Sequence, residues 1–518
     1  MNFAFLTPGT GSYYCGACMR DNALAKSLLA AGHRVSLLPM YLPLQLDEEM
    51  MAQEKYHIFF GGINVYLQQN LSLFRHTPRW IDHLLNNAQL LRFAAKRSHM
   101  TSARVHGAMT LAMLRIEGSH FGKELDKLID WLAIEKPDIL CLGTALQAGM
   151  IRQLKQRLRV KIICCFQGED SFLDGLPEPF KSSCWDELRD RLQDADLLVA
   201  PSQFYADLMR ERLNAPDLRI EIMPNGIDLE GYLSPRPSTP PVIGYLARMI
   251  REKGLLDLVE AFIHLRTALK HPDARLHIAG AATAGDSTLI AELKQQLETA
   301  GLSDQVTWSP NISREEKAGM LSSLTLFSVP ANYPEAFGLY LLEAMASGVP
   351  VVLPRASSFA EIITDGGAGV LVPPGDTRAL ATAWHELLND PDALQSFGEK
   401  GRHAAEQRLH ARPISQPRHT TRPMSKHAFE IQRHVEFYET DMAGIVHILQ
   451  FFPLHGNLRA LLRSQSRPRT PRPARRPRNR LATRQRQLRL PLARPLWRSP
   501  NHPPVHCGSP QPLRPLSV

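Results

Sequence analysis

The chain has 518 residues, and domains of about 150 residues allow roughly three of them. Its net charge is +9, but the segment from Arg463 to Val518 holds 14 Arg and no Lys, Asp or Glu, and removing those charges leaves the body at −5. A nucleic-acid-binding body is therefore excluded as an inference from overall charge, because the basic character belongs to the tail.

In chain order, short apolar and β-branched runs alternate with amphipathic stretches, as in βα units that build a parallel sheet buried on both faces. Met1–Leu6 is apolar but ends at Thr7-Pro8-Gly9 without a basic leader, so it reads as a buried first strand. The first series of predicted strands is Asn2–Leu6, His33–Leu38, Ile58–Leu67, Asp138–Leu142, Lys161–Phe166, Leu197–Ala200 and Arg219–Met223. The second is Val242–Leu246, Leu276–Ala279, Val306–Trp308, Leu324–Val329, Val351–Leu353 and Val370–Val372. Between them Ser234–Pro241 is too rich in proline for helix or central strand and reads as an interdomain linker. Two doubly wound domains joined there leave a cleft between the C-terminal edges of their strands, where ligands of such sheets bind.

Seven cysteines scattered through a long chain do not form a disulfide framework. No run approaches the length of a membrane span. Both features point to the cytoplasm, with peripheral contact at the inner membrane face as the furthest membrane association. The stretch Arg75–Arg104 mixes cations with Trp80, Leu84, Leu85, Leu90, Leu91 and Phe93. That pattern fits anionic lipid, but it fits an ordinary solvated amphipathic helix better.

The strongest chemical signal is Glu335-Ala336-Phe337-Gly338-Leu339-Tyr340-Leu341-Leu342-Glu343, followed by Ala344–Pro350 and preceded by an apolar strand. Eight residues of helical rise would separate the two acids by roughly 12 Å, which suits one ligand held at both ends. Helix-start amides near Gly338 would face a diphosphate, and glycine lets the backbone approach closely. The acid ahead would then accept from sugar hydroxyls and the acid behind from ribose hydroxyls. Two unrelated solvated acids are the bland alternative, which the surrounding Phe-Gly and Ser-Gly-Val-Pro pattern disfavours.

This segment resembles the E-x7-E signature of retaining glycosyltransferases of family 4. Gly244–Gly254, with Arg248 and Lys253, is similar to the same family's diphosphate-gripping segment, and Pro224-Asn225-Gly226-Ile227-Asp228 to the turn that closes its first domain. There Asn-Gly is expected to supply left-handed backbone. Over residues 1 to about 400 the resemblance implies an α/β chain of two Rossmann-like doubly wound domains facing each other across a cleft (GT-B type). Residues 1–233 would be the acceptor domain, 234–241 the linker and 242–408 the nucleotide-sugar donor domain. It also implies metal-independent transfer of a hexosyl group from a nucleoside diphosphate sugar to a glycan, lipid or small-molecule hydroxyl, with no cofactor and no specific nucleic acid. Glu335, Arg248 and Lys253 would be catalytic. Glu343, Phe337, Gly338, Leu339, Gly11, Gln167 and Asp170 would bind the donor. Where relatives carry His-Gly, this chain has Gln167-Gly168-Glu169-Asp170, so no histidine role transfers; Asp170 could equally cap the following turn.

Other signals are weaker. The loop Pro8–Cys18 is glycine-rich and fits a wall of the ligand site, whereas Cys15-Gly16-Ala17-Cys18 has the spacing of a redox pair. The redox reading ranks behind, because the motif opens a series of strands larger than a thioredoxin unit. Asp194-Ala195-Asp196 matches D-x-D but precedes a strand and reads as turn acids, implying no metal.

After about residue 408 the character changes. Residues 409–423 read as a second linker, and the crossover helix expected of the fold dissolves there. Residues 424–461, with Asp441, resemble the opening of a hotdog-fold acyl-CoA thioesterase over about 30 residues, and 462–518 form an Arg/Pro-rich tail with too few apolar residues to order. A run-on reading frame is the expectation, which an uninterrupted frame in the transcript would defeat. A glucan synthase-like or epimerase-like enzyme of the same fold, and a non-catalytic polyanion-binding protein acting through the tail, are the alternatives.

Overall fold

The computed structural model describes residues 1–9, 16–44, 58–70 and 103–408, apart from single positions at 118, 233, 237 and 272, together with 74 and 77. Gly11, Cys15, the cationic stretch 75–102 except residue 77, the linker 409–423, the thioesterase-like 424–461 and the tail 462–518 lie outside the described residues. The described residues all belong to one unit, Met1–Ala460, and everything below concerns it.

Its first half runs β1 (Asn2–Thr7), α1 (Gly16–Ala30), β2 (Arg34–Pro39), α2 (Gly62–Asn70), α3 (Ala103–Leu114), α4 (Gly122–Glu135) and β3 (Ile139–Leu142). A 3-10 turn at Ala145–Met150 leads to α5 (Ile151–Leu158), β4 (Lys161–Cys165), α6 (Glu169–Asp174), α7 (Phe180–Leu192), β5 (Leu197–Ala200), α8 (Gln203–Arg212) and β6 (Glu221–Ile222). The second half runs β7 (Val242–Leu246), α9 (Leu255–Thr267), β8 (Arg275–Gly280), α10 (Ser287–Thr299), β9 (Val306–Pro310), α11 (Arg314–Ser323) and β10 (Leu326–Phe327). It ends with α12 (Leu339–Ala346), β11 (Val351–Pro354), α13 (Phe359–Gly366), β12 (Gly369–Val372), α14 (Thr377–Leu388) and α15 (Pro391–Arg408).

The strands form two six-stranded sheets, ordered β2-β1-β3-β4-β5-β6 and β12-β11-β10-β7-β8-β9. All pairings are parallel, with Phe3 aligned to both Val35 and Ile139 in the first sheet and Gly244 aligned to both His277 and Phe327 in the second. The uninterrupted apolar strands follow from burial on both faces. Alternate residues of the first sheet separate accordingly: Ala4, Leu6, Leu140, Leu142 and Ile162 pack into one cluster, Phe3, Phe5, Ile139, Cys141 and Ile163 into the other.

One expected strand is a helix. Ile58–Leu67 enters a bend and then α2, because Asn64 and Gln68, one helical turn apart, both donate to the buried Glu124 carboxylate of α4, at 2.8 and 2.9 Å. A β-strand would point residues four apart to one face as well, but some 13 Å apart, too far to share one carboxylate. The strands expected at Arg219–Met223 and Leu324–Val329 are two-residue pairings, β6 and β10.

Pro224–Asp228 departs from expectation too: neither Asn225 nor Gly226 has a positive φ, and the left-handed residue of this region is Gly231. The linker Ser234–Pro241 lies along the end of α11, where Arg236 and Ser238 donate their amides to the carbonyls of Ser322 and Ser323. The two halves also touch directly. Ser202, which caps α8 in the first half, donates its hydroxyl to the Ala336 carbonyl at 2.9 Å. The Glu361 carboxylate of α13 accepts the amides of Gln203 and Phe204 at the start of that same helix, a favourable place for an anion.

Candidate functional site

A cavity of about 380 Å³ opens where the C-terminal strand edges of the two sheets meet, as the crossover geometry of such sheets dictates. The first half contributes Gly16, Ala17 and Met19 after β1, Gln167 after β4 and Asn225 after β6. From the second half come Leu246–Arg248 after β7, Gly280–Ala281 after β8, Asn311–Ile312 after β9 and the Tyr333–Tyr340 segment after β10.

α12 begins at Leu339, and its N-cap Gly338 has φ +84°. That left-handed backbone suits glycine and turns the chain from the Glu335 loop into the helix. Phe337, Gly338 and Leu339 all line the cavity. Glu335 is held by a dense set of donors: Tyr333 and Tyr340 donate their hydroxyls to Oε2 at 2.7 and 2.8 Å, and Lys253 Nζ reaches the same oxygen. The Lys253 ammonium also lies over the rings of Tyr333 and Tyr340, at 4.7 and 5.2 Å from their centroids. The sequence reading gave Lys253 to the diphosphate and Glu335 to the sugar as separate devices; here they form one ion pair. Arg248, on the adjoining turn, lines the cavity with 42% of its side chain exposed and lies 3.9 Å from Asp286.

The charge state follows from these contacts. Burial pushes the Glu335 carboxyl up, but Lys253 and the Tyr333 and Tyr340 hydroxyls outweigh it and hold the group below its ordinary value. Burial, reinforced by Glu335, keeps both tyrosines well above theirs, so they remain hydroxyl donors. A depressed carboxyl contributes stability that is complete above its unfolded value, roughly 4.3, and that fades as pH falls through the folded value. The contribution of this pair to thermal stability should therefore be level from about pH 8 to about pH 5 and decline below that. In Lys253→Ala burial acts without the cation, and the acid limb should move to higher pH; melting curves that leave the limb in place would show that Lys253 does not set this carboxylate.

In the second turn of α12, Glu343 is 4% exposed and lines the same cavity. Its Oε1 accepts from Tyr232 Oη at 2.8 Å and from Lys317 Nζ at 2.5 Å.

On the first-half side, Gln167 and Asn225 face each other through their amides at 3.3–3.4 Å, and both reach the cavity. Glu169 is spent on structure: it accepts from Thr144 Oγ1, the Ala145 amide, the Gln167 amide and Tyr205 Oη. Asp170 is 2% exposed and accepts from Tyr205 Oη at 2.7 Å, and burial first of all raises its carboxyl. It is not among the residues that line the cavity. Cys18 is fully buried within α1, no place for an exchanging redox sulfur. Asp194 pairs with Arg152, and Asp196 accepts the Ile162 amide and pairs with Lys155 and Lys161, which accounts for D-x-D as a fold contact. No helix among the described residues is long and apolar enough to cross a membrane.

Sequence reading missed Tyr232, Asn225 as a lining group, Lys317 and Tyr333. Tyr340 stood inside the signature and Tyr333 two residues ahead of it, so proximity to Glu335 could have flagged both. Lys317 carries no motif; it reaches Glu343 only through the fold.

Residues 234–404 match the family model described as glycosyl transferases group 1, and residues 110–230 match the one described as glycosyltransferase family 4. A D-inositol 3-phosphate glycosyltransferase from Arthrobacter sp. strain FB24 is 32% identical over 227 residues, which cover 42% of this chain and 52% of the relative. The chain spans about half the length of most of the curated relatives it matches, and less of some. Among solved structures, sucrose-phosphate synthase from Thermosynechococcus elongatus superposes with a TM-score of 0.58 at 19% identity, covering 79% of this chain and 95% of the other. Anabaena HepE in complex with UDP does so with 0.53 at 18% identity, covering 79% and 96%. The two facing parallel sheets are thus the B fold of glycosyltransferases, and each half carries a glycosyltransferase domain signature.

Proposed function

We propose that the chain transfers a hexosyl group from a nucleoside diphosphate sugar to the hydroxyl of a glycan, lipid or small-molecule acceptor, with retention of anomeric configuration. The single observation that carries this reading is the arrangement around one cavity of a carboxylate in the loop ahead of α12 and another within the helix, two cations after β7 and a left-handed glycine at the helix start. The helix-start amides and the pair Arg248 and Lys253 are assigned the diphosphate, neutralising charge as it departs. Glu335 is assigned the sugar hydroxyls and Glu343 the ribose diol. These cations do the work that a metal ion would otherwise do, so metal-independent transfer is the proposal. HepE, of the same fold, holds UDP, in line with such a donor.

In the step envisaged, the bond from the anomeric carbon to the β-phosphate oxygen breaks and the acceptor oxygen bonds to that carbon on the same face. The acceptor's proton passes to the departing diphosphate. Gln167 and Asn225 offer neutral amides at the acceptor side, with no imidazole to share the proton. Calorimetric titration of the full chain with UDP-, GDP- and ADP-sugars should find one donor class that binds, and the product of that donor should show the donor's own anomeric configuration by NMR. An inverted product would remove the retaining mechanism, and binding of none of the three would remove the donor reading.

A further inference from the structure

We infer that Ser202 is a positioning residue for the transfer reaction, one that sets where the Glu335 loop stands relative to the acceptor-side Gln167 turn; this rests on the donor reading above. Three consecutive carbonyls of that loop are held from different sides. Ser358, just ahead of α13 in the second half, donates its amide to the Glu335 carbonyl at 3.3 Å and its hydroxyl to the Phe337 carbonyl at 3.0 Å. The carbonyl between them, that of Ala336, accepts instead from Ser202 of the first half at 2.9 Å. The side chains divide in the same way: Ala336 packs into the core cluster of the first half and Phe337 into that of the second. The loop that carries the sugar-side carboxylate is therefore shared between the two halves.

Ser202 is 3% exposed, and its one hydroxyl donates to Ala336 while accepting the Tyr205 amide at 3.1 Å as the N-cap of α8. Losing the donor would leave the Ala336 carbonyl short of a partner in buried surroundings. Beside it, the Glu361 carboxylate in the first turn of α13 accepts the next two amides, those of Gln203 and Phe204, so the same turn of α8 is gripped twice. Tyr205 carries the connection to the acceptor side. Its hydroxyl meets Asp170 at 2.7 Å and Glu169 at 3.2 Å, and Glu169 accepts the Gln167 amide at 2.8 Å. One turn of helix thus joins the groups assigned to the acceptor and to the donor sugar, and a displacement of about 1 Å between such groups costs about a hundredfold in rate.

The test compares two lost helix caps in the full chain. Asp376 caps α14 by accepting the Arg378 and Ala379 amides, and it is not among the residues that line the cavity. Ser202→Ala and Asp376→Ala should lower the melting temperature by similar amounts. Turnover is followed as nucleoside diphosphate released from UDP-, GDP- and ADP-linked glucose and mannose, with water standing in for the acceptor hydroxyl. The bond from the anomeric carbon to the β-phosphate oxygen breaks, the water oxygen bonds to that carbon, and the proton passes to the diphosphate. With the donor that wild type uses, kcat should fall about tenfold or more in Ser202→Ala and stay within about twofold in Asp376→Ala. The Kd of the matching nucleoside diphosphate should stay within about threefold in Ser202→Ala, because the groups assigned to diphosphate and ribose lie in the second half. Ser202→Thr, which keeps both donor and acceptor, should recover most of the rate. Glu361→Ala leaves the hydroxyl in place, should lower kcat about threefold or more, and serves if Ser202→Ala folds poorly. Wild-type kcat in both Ser202→Ala and Glu361→Ala, or equal losses of kcat in Ser202→Ala and Asp376→Ala, would reduce Ser202 to a helix cap. A Kd that weakens in step with kcat would make the contact a matter of donor binding and overturn the positioning role. Release from none of the donors by wild type would instead overturn the donor reading itself, and this inference with it.

Discussion

Lys253→Ala is expected to lower transfer at saturating donor by about a thousandfold, the scale found when a preorganised group that stabilises a developing anion is removed. The same substitution should destabilise the fold, because Glu335 is 9% exposed and its ion pair with Lys253 is largely shielded from water. Removing one partner of a buried pair costs about 3–5 kcal/mol where nothing replaces it; here Tyr333 and Tyr340 still donate to Glu335, which places the loss at the lower end. Glu335→Gln should leave the tyrosine hydroxyls an acceptor and should also suppress turnover. The double variant separates the two effects. With no buried carboxylate left uncompensated, Lys253→Ala in the Glu335→Gln background should cost less stability than it does alone, while activity stays at the level of the worse single variant. Wild-type rates in both single variants would sink the assignment of this pair to catalysis.

That pairing marks where the sequence stops being informative. That Glu335 and Glu343 share one cavity was legible because their spacing, the Phe-Gly turn and the following Ser-Gly-Val-Pro are local, and the sheets were legible because strands buried on both faces read as continuous apolar runs. What joins the acids to their partners is not local. Lys253 and Glu335 are 82 positions apart, Tyr232 and Glu343 are 111 apart, and no periodicity reports a contact of that kind. Local chemistry also misled twice. Ile58–Leu67 has the apolar content of a strand, yet two amides at helical spacing close on a carboxylate in another helix and decide for helix. Asn225-Gly226 looks like a left-handed turn, yet the asparagine is 5% exposed and its side chain serves the cavity wall through Gln167. In the second case a residue read as backbone geometry is a side chain of the site.

The largest stability effect should come from a methyl group. Gly254 follows Lys253 with φ +72°, and a Cβ built there would lie 1.7 Å from the Pro330 carbonyl oxygen and 2.3 Å from its carbon. The close approach goes with a backbone contact: the Asn332 amide donates to the Glu252 carbonyl at 2.8 Å, so the turn that carries Lys253 and the loop that carries Glu335 are stitched backbone to backbone. Gly254→Ala adds left-handed strain to a clash with main chain that no rotamer can relieve, and should cost about 3 kcal/mol or more. Melting of the second half should fall by about 6 °C or more in consequence. Gly301 supplies the control. Its φ is +70° but a Cβ there meets nothing within 4 Å, so Gly301→Ala carries the backbone strain without the collision and should cost about 1 kcal/mol. Gly254→Ala should also lose donor binding, because parting the two loops separates Lys253 from Glu335, whereas Gly301→Ala should keep it. Equal melting temperatures for the two variants would mean that the loops can part freely, and that the pair does not depend on this contact for its geometry.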